Sequence, residues 1–310
     1  MNKIICVVGP TASGKTALAI ELAKELNGEV ISCDSMQIYR GMDIGTAKPT
    51  QEEMQGIPHH MIDICDPTED FSVSRYTDIA TPILEDVLAR GKTAIIAGGT
   101  GLYVDSLIRG NEFSPIPATG HRERLEKRIE AEGVDPLLEE LRKVDPESAE
   151  NSMRNPRRII RSLEVFYETG ETITAHNLKT QAIPPRYNPI WIGLDFTERA
   201  DLYARIDRRV EIMLETGLME EIKTILASGI PEKATALQAI GYKEFVDALA
   251  GRSTLQSAVA QVQQSSRRYA KRQLTWFRRN ERMNWIIREP ETPALEILQQ
   301  ARQILRKYDN

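Results

Sequence analysis

The chain has 310 residues, 41% of them hydrophobic and 27% charged, with a formal net charge of −5. That length can bury a large core in one or two domains, and no apolar run approaches the roughly 20 residues of a membrane-spanning helix, so no membrane partner is expected. Cys6, Cys33 and Cys65 stand far apart with no C-x-x-C pair, which argues against a zinc ribbon and against a disulfide framework. Cys6 and Cys33 fall in apolar runs and read as core residues. The N-terminus enters the first of these runs almost directly, so no signal peptide is expected and a reducing, cytoplasmic setting is.

Ile4-Ile5-Cys6-Val7-Val8 reads as a buried parallel strand. Gly9-Pro10-Thr11-Ala12-Ser13-Gly14-Lys15-Thr16 follows and fits G-x-x-x-x-G-K-[ST]. Leu18, Leu22 and Leu26 then recur at helical spacing, with Gly28 placed to end the helix. Strand, glycine-rich loop and helix make a phosphate cradle, shared with nucleotide-binding, ATP-binding proteins. Glycines let N–H groups turn inward, and the helix N-terminus adds partial positive charge. Lys15 reaches phosphate oxygens, and Thr16 can hold Mg²⁺. All eight residues, Gly9 to Thr16, are candidate phosphate ligands. The motif leaves open which phosphate compound binds.

Val30-Ile31-Ser32-Cys33 reads as a second strand, ending at Asp34. Thr93-Ala94-Ile95-Ile96-Ala97 reads as a third, ending at Gly98-Gly99-Thr100-Gly101. Residues at strand C-termini line the ligand crevice of such sheets. Asp34 there can accept a proton or orient Mg²⁺, or it can cap the turn Asp34-Ser35-Met36-Gln37. The glycines at 98–101 either let a backbone approach a ligand, with Thr100 offering a hydroxyl, or serve a turn that needs positive φ. No acid follows the third run, which counts against an ordinary ATPase. Gly41 to Pro67, rich in Gly, Pro and His, reads as mobile or ligand-covering loops.

From about residue 113 the character changes. Phe113-Ser114-Pro115-Ile116-Pro117 reads as a linker, and helical patterns cover 122–132, 136–144 and 156–169 before Pro184-Pro185. Ile190-Trp191-Ile192-Gly193-Leu194 returns to the sheet. Long helices fill 198–228 and 253–282, 284–287 reads as a last strand and 291–307 as a terminal helix. The expected fold is α/β, a parallel-sheet core of residues 1–112 and 188–310 interrupted by a helical insertion domain, 113–187.

Arg157, Arg158 and Arg161 share one predicted helix, whose buried stripe is Ile159, Leu163 and Phe166. They are either a solvated basic face or a phosphate grip. Residues 267–282 carry Arg267, Arg268, Lys271, Arg272, Arg278, Arg279 and Arg282 against Glu281 alone, a local charge of +6 while the rest of the chain carries −11. Such segregation points to a polyanionic partner. Tyr269 and Trp276 in the same window can stack on bases or on arginine planes. His59, His60, His121 and His176 lack metal-ligand spacing and read as structural.

Together these blocks resemble the bacterial tRNA dimethylallyltransferases (tRNA isopentenyltransferases). The resemblance rests on Gly9 to Thr16, on the run Asp34-Ser35-Met36-Gln37-Ile38-Tyr39-Arg40-Gly41-Met42-Asp43-Ile44-Gly45-Thr46-Ala47-Lys48-Pro49, and on Pro58-His59-His60 and Gly98 to Tyr103. Pro156-Arg157-Arg158, Gln238-Ala239-Ile240-Gly241-Tyr242 and Arg267 to Arg278 extend it in the same order along nearly the whole chain. The zinc finger of eukaryotic relatives is missing, since no cysteine follows Cys65.

The resemblance implies a P-loop nucleotide-kinase-like core and transfer of a dimethylallyl group from its diphosphate to N6 of the adenosine 3′ to the anticodon. Asp34 matches the family's proposed general base and Thr100 the contact beside the reactive end. Arg122, with Arg124 as the fallback register, matches an arginine reaching the diphosphate or the tRNA. The tRNA anticodon stem-loop would lie against Asp34, Ser35, Met36, Gln37, Thr100, Arg122, Arg157, Arg158, Ile159, Ile160, Arg161, Gln238, Gly241, Tyr242, Arg268 and Arg272. Mg²⁺ on Thr16 is the expected cofactor, and a monomer the expected state. The alternatives are a small-molecule or nucleotide kinase and an RNA-binding ATPase on the same core.

Overall fold

Runs that are apolar at every position, rather than at alternate ones, become strands covered on both faces. In the computed structural model, which describes residues 4–110 and 119–308, β1 (Ile4–Val8) is buried along its whole length. The chain continues through α1 (Lys15–Glu25), β2 (Gly28–Ser32), α2 (Gln51–Met54), β3 (His59–His60), α3 (Val73–Ala89), β4 (Thr93–Gly98) and α4 (Gly101–Arg109). Five helices follow: α5 (His121–Glu132), α6 (Asp135–Val144), α7 (Pro146–Asn151), α8 (Pro156–Thr169) and α9 (Ile173–Ala182). Then come β5 (Ile190–Phe196), α10 (Arg199–Glu215), α11 (Leu218–Ala227), a 3₁₀ turn (Ala236–Gln238), α12 (Lys243–Leu249), α13 (Leu255–Phe277), β6 (Met283–Arg288) and α14 (Ala294–Arg306). The linker read at 113–117 and the boundary at 112–113 lie outside the described residues.

The strands form one parallel sheet in the order β3-β2-β4-β1-β5-β6. From β1 the chain winds towards β2, and from β4 it crosses β1 to reach β5. That reversal opens a crevice at the C-terminal ends of the central strands, where ligands bind in such sheets. On one face Cys6, Val8, Ile31 and Ile96 pack against Tyr76, Leu84, Leu107 and Phe277 of α3, α4 and α13. On the other, Val7, Ile95 and Ile192 pack against Leu18 and Leu22 of α1 and Leu298 and Ile304 of α14. Leu22 is fully buried, so Leu22→Ala would cost about 2–5 kcal/mol through lost transfer energy and the cavity left behind. A third cluster joins Ile38, Tyr39 and Met42 to Leu218, Ile222, Tyr242, Phe245 and Val262, and so anchors the segment after β2 beside the crevice.

The chain divides into two compact units. One combines the residues up to Gly110 with those from Arg186 onward; the other holds the residues between. The second unit has its own core of Leu125, Leu137, Leu138, Leu141, Ile159, Ile160 and Leu163. Among the described residues no helix is long and apolar enough to cross a membrane.

Several local readings change. Gly28 does not end α1: Asn27 takes the left-handed conformation (φ 48°), and Gly28 opens β2, where a Cβ would meet the Thr93 carbonyl oxygen at 2.8 Å. The pattern over 198–228 is two helices, α10 and α11, separated at Gly217 with φ 105°. Helix α13 stops at Phe277, which frees the chain to turn into β6. The 41–67 segment is pinned rather than loose. Buried Lys48 binds the Tyr39 carbonyl at 2.8 Å and the Asp43 and Asp63 carboxylates.

Candidate active site

The phosphate loop leaves β1 in a conformation its sequence prepares. Gly9 has φ 148°, and a Cβ there would lie 2.6 Å from the Leu194 carbonyl oxygen; Gly14 has φ 95° and caps α1. Only glycine adopts such angles without strain. Lys15 Nζ donates to the Pro10 carbonyl oxygen at 2.6 Å, closing the loop on itself. Burial pulls its pKa down to about 8, and the Arg209 guanidinium acts in the same direction; Asp34 and Cys33 oppose them. Ser13 Oγ is buried and has no hydrogen-bond partner among the described residues. A hydroxyl shut away from water without a partner is costly unless a ligand supplies one. Thr16 lies exposed on the first turn of α1.

Three side chains from two other elements hold this loop. Gln273 of α13 accepts the Thr11 N–H at 2.8 Å and donates to the Gly99 carbonyl oxygen at 3.0 Å. Arg209 of α10 donates to Thr11 Oγ1 at 3.2 Å, and Arg205 to the Ala12 carbonyl oxygen at 3.2 Å. Burial lowers the Arg209 pKa, with Asp34 and Glu53 opposing. Two cavities meet at Arg209. One, of about 800 Å³, is lined by Gly14, Lys15, Thr16, Arg205 and Arg208. The other, of about 270 Å³, is lined by Thr11, Asp34, Ser35 and Met36 on one side and by Ile206, Val210, Met213 and Ile240 on another.

Asp34 follows β2 into this second cavity. Its Oδ1 accepts the Met36 N–H at 2.9 Å and the Gln37 N–H at 3.4 Å, so it does cap the turn, and both bonds fall on the one oxygen. Gln37 in turn donates to the Thr46 and Ala47 carbonyl oxygens at 3.3 and 3.2 Å. Thr100 Oγ1 accepts the Ser35 N–H at 3.1 Å and bonds Tyr269, whose hydroxyl burial pushes up to about 12.

The glycines after β4 do not have positive φ. They are the floor for the protein's own side chains. A Cβ on Gly98 would meet Cys33 at 2.6 Å, one on Gly99 the Gln273 amide at 2.0 Å, and one on Gly101 the Trp276 ring at 2.2 Å.

The basic window splits in two. Arg267 pairs with Asp207 and Arg278 with buried Asp195 at 2.9 Å, while Arg282 donates to Asn188. Their acidic partners sit on α10 and β5, out of reach of an i,i+4 reading. Arg268, Lys271, Arg272 and Arg279 stay exposed. Arg272 lies over the Tyr269 ring and Arg279 over Trp276, at 5.5 and 5.7 Å, so both aromatics stack on arginine planes. Gln238, Gly241 and Arg272 line the second cavity. Tyr242 is fully buried, and its hydroxyl donates to Glu221 at 2.6 Å.

In the second unit, Arg157, Arg158 and Arg161 line a polar groove of about 400 Å³ with Ser148, Asn155 and Asn177. Ile159 and Ile160 point into the core, which leaves the exposed arginines as the groups available to a ligand. Arg122 makes a two-pronged pair with Glu164 at 3.0 and 2.9 Å; Arg124 contacts His121. His60 pairs with buried Glu29 at 2.8 Å, beside Arg90 and Lys92.

Arg209 and Gln273 escape the sequence reading as site residues, and Tyr269 enters it only as a stacking aromatic. Arg209 sits among Arg205, Arg208 and acids in an ordinary-looking amphipathic helix, and Gln273 looks like any helix polar residue. The available signal was Gln273 falling on the apolar stripe of Ala270, Leu274 and Phe277.

Comparison with known proteins fits this arrangement. Residues 37–280 match the model of the family described as IPP transferase, and residues 2–70 that of isopentenyl transferase. The chain is 46% identical over 288 residues to the tRNA dimethylallyltransferase of Acetivibrio thermocellus, covering 92% of each. It is 48% identical over 287 residues to that of Caldanaerobacter subterraneus subsp. tengcongensis, covering 91% of each. Among solved structures it resembles the full-length tRNA isopentenylpyrophosphate transferase of Bacillus halodurans, with TM-score 0.72, 44% identity, and 99% and 98% of the two chains covered. It also resembles a eukaryotic dimethylallyltransferase acting on tRNA, with TM-score 0.83, 28% identity, and 100% of this chain and 79% of that one covered. With matches that run through the phosphate loop, the Asp34 turn and helix α13 alike, the chain belongs to the IPP transferase family.

Proposed function

We propose that the chain is a tRNA dimethylallyltransferase, moving a dimethylallyl group from dimethylallyl diphosphate to N6 of the adenosine 3′ to the anticodon and releasing pyrophosphate. The observation that carries this reading is the meeting of two unlike cavities at Arg209. One holds the cationic phosphate loop; the other sets the Asp34 carboxylate among apolar side chains. A diphosphate fits the first and an unstacked base with a short prenyl group the second.

The pyrophosphate would rest on Lys15, the unpartnered Ser13 hydroxyl and the N-terminus of α1, with Arg209 at the junction. These groups stabilise charge that grows as the C–O bond breaks. Thr16 is a suitable Mg²⁺ ligand. It would hold the ion together with substrate oxygens, the kind of site Mg²⁺ favours over an all-protein cage. When bound it would neutralise leaving-group charge.

The attacking amine is conjugated with the purine and is a poor nucleophile. Asp34 accepts its proton on Oδ2, since Oδ1 is held by the backbone. The apolar wall of Ile206, Val210, Met213 and Ile240 keeps water from the allylic centre. The base must leave its stack to enter, and exposed Arg268, Lys271, Arg272 and Arg279, with Arg157, Arg158 and Arg161, would hold RNA phosphates. The cytoplasm, where tRNA is found, is the compartment this reading assigns.

The test is incubation with unmodified tRNA, Mg²⁺ and labelled dimethylallyl diphosphate. Label in the RNA supports the transferase; phosphate transfer from γ-labelled ATP to a small molecule, with none in RNA, would replace it by a kinase.

A further inference from the structure

Glu221 of α11 gathers more hydrogen-bond donors than its exposure requires. Oε2 accepts the Asp43 N–H at 2.9 Å and the Ile44 N–H at 2.7 Å; Oε1 accepts the Gly45 N–H at 3.1 Å and the Tyr242 hydroxyl at 2.6 Å. One carboxylate therefore binds three consecutive amides and a phenol. Charge-assisted bonds of this kind are about twice as strong as neutral ones.

What it holds is part of the cavity. Gly45 and Thr46 line it on one side, Gln238 to Gly241 on another, and Asp34 to Met36 on a third. Tyr242 ends the 238–241 wall, and its ring lies where a Cβ of Gly45 would be, at 2.5 Å. The next carbonyl oxygens along the loop, of Thr46 and Ala47, accept from the side-chain Nε2 of Gln37, and the backbone N–H of Gln37 reaches Asp34 Oδ1. An unbroken chain of contacts thus runs from Glu221 through the 43–47 loop and Gln37 to Asp34. Among the described residues none of these hydrogen bonds ends on the phosphate loop, which feels the chain only through the Asp34 charge near Lys15 and through Ala47 in the lining of the first cavity.

We propose that Glu221 is a positioning residue for the acceptor adenosine: it fixes two cavity walls and, through Gln37, the turn that aims the Asp34 carboxylate. The inference rests on the reading of this cavity as the acceptor pocket. Glu221 does not contact reacting atoms, so its effect falls on acceptor affinity and turnover, not on the diphosphate.

The test compares wild type, Glu221→Gln, Glu221→Ala and Tyr242→Phe in three measurements. Hydrogen exchange should quicken in the amides of Asp43, Ile44 and Gly45 in both Glu221 variants. KM for tRNA should rise, or kcat fall, by about tenfold in Glu221→Gln and more in Glu221→Ala, since small displacements of reacting groups cost one to two orders of magnitude. Tyr242→Phe, which loses one donor and keeps the ring, should lie between wild type and Glu221→Gln. Affinity for a non-reactive dimethylallyl thiolodiphosphate should hold within about twofold of wild type. Unchanged exchange overturns the proposal, as does quickened exchange with wild-type tRNA kinetics, or a loss of donor affinity that tracks a falling Tm. Wild-type protein that transfers no label to tRNA would sink the activity reading instead, and would show itself before any variant is compared.

Discussion

Asp34→Asn separates two roles carried by one side chain. The amide keeps an Oδ1 that can accept from Met36 and Gln37 at the present 2.9 and 3.4 Å, so the turn survives. What disappears is the charge and the capacity to take a proton. A positioned general base contributes about 10²–10⁴-fold, so single-turnover transfer should slow by at least about 10². Donor affinity should hold, because the lost carboxylate was repelling the diphosphate as well as supporting the Lys15 ammonium. Asp34→Ala removes the cap too. One good bond and one long one amount to about 1 kcal/mol, a fall in Tm of about 2–4 °C for a body of this size. The assay is rapid-quench transfer of labelled dimethylallyl to tRNA under saturating donor, with donor affinity by calorimetry and Tm by scanning fluorimetry. Asp34→Asn transferring at the wild-type rate would refute the reasoning and leave Asp34 as a turn cap alone.

Lys15 gives donor binding a pH dependence of definite sign. Its free-state pKa is held down to about 8, and a bound diphosphate favours the ammonium, so binding is strongest below pH 8 and weakens as pH rises through it, by up to about tenfold per unit. Donor KM measured from pH 7 to 9 checks this; a flat profile, or one that Lys15→Arg does not flatten, contradicts it. Gly101→Ala drives a Cβ to 2.2 Å from the Trp276 ring and threatens the 2.8 Å bond from its Nε1 to Asp105; overpacking of this kind costs about 1–3 kcal/mol, and an unchanged Tm would mean the ring moves freely. Replacing Arg268 and Arg272 together should weaken tRNA binding and flatten its salt dependence without moving Tm. Arg278→Gln should do the reverse, lowering Tm because Asp195, 3% exposed, loses its nearer cation and keeps Arg199 only at 4.0 Å; filter binding across a salt series and thermal melts on both variants distinguish the two classes.

The central strands, the phosphate loop and the position of Asp34 were legible because each depends on local rules: a run of apolar residues, glycines at fixed offsets, an acid at a strand end. What the glycines after β4 do was not legible. Gly99 and Gly101 read as places for a ligand or for positive φ, yet they accommodate Gln273 and Trp276, which lie more than 170 residues further along. The same limit applies to the basic window. Its lack of nearby acids suggested seven free cations, but Asp207 and Asp195 reach Arg267 and Arg278 only after folding. Helix α3 carries Pro82 in its interior, where local rules expect a helix to break. The pinning of the 41–67 segment depends on Lys48 and Glu221, and a count of Gly, Pro and His cannot register either one.

Helix α13 explains why the strand next to the phosphate loop ends in Gly-Gly-Thr rather than in the acid that holds Mg²⁺ in P-loop hydrolases. Its inner face sends Gln273 to the Thr11 and Gly99 backbone and Trp276 onto Gly101, and only glycines leave room for them. Its outer face carries Arg268, Lys271 and Arg272, and Arg279 follows just beyond its C-terminus. Residues 268, 271 and 272 keep one side of the helix while 270, 273, 274 and 277 keep the other, as the 3.6-residue period requires. The side chain that braces the phosphate cradle and three of the cations proposed for RNA thus stand on two faces of one 23-residue helix. RNA seated on the outer face, as proposed, would be tied to the cradle through this one helix. An acid at residue 99 or 101 would displace Gln273 or Trp276 and break that registration, so hydrolase-type metal binding and this coupling exclude each other at the same backbone position.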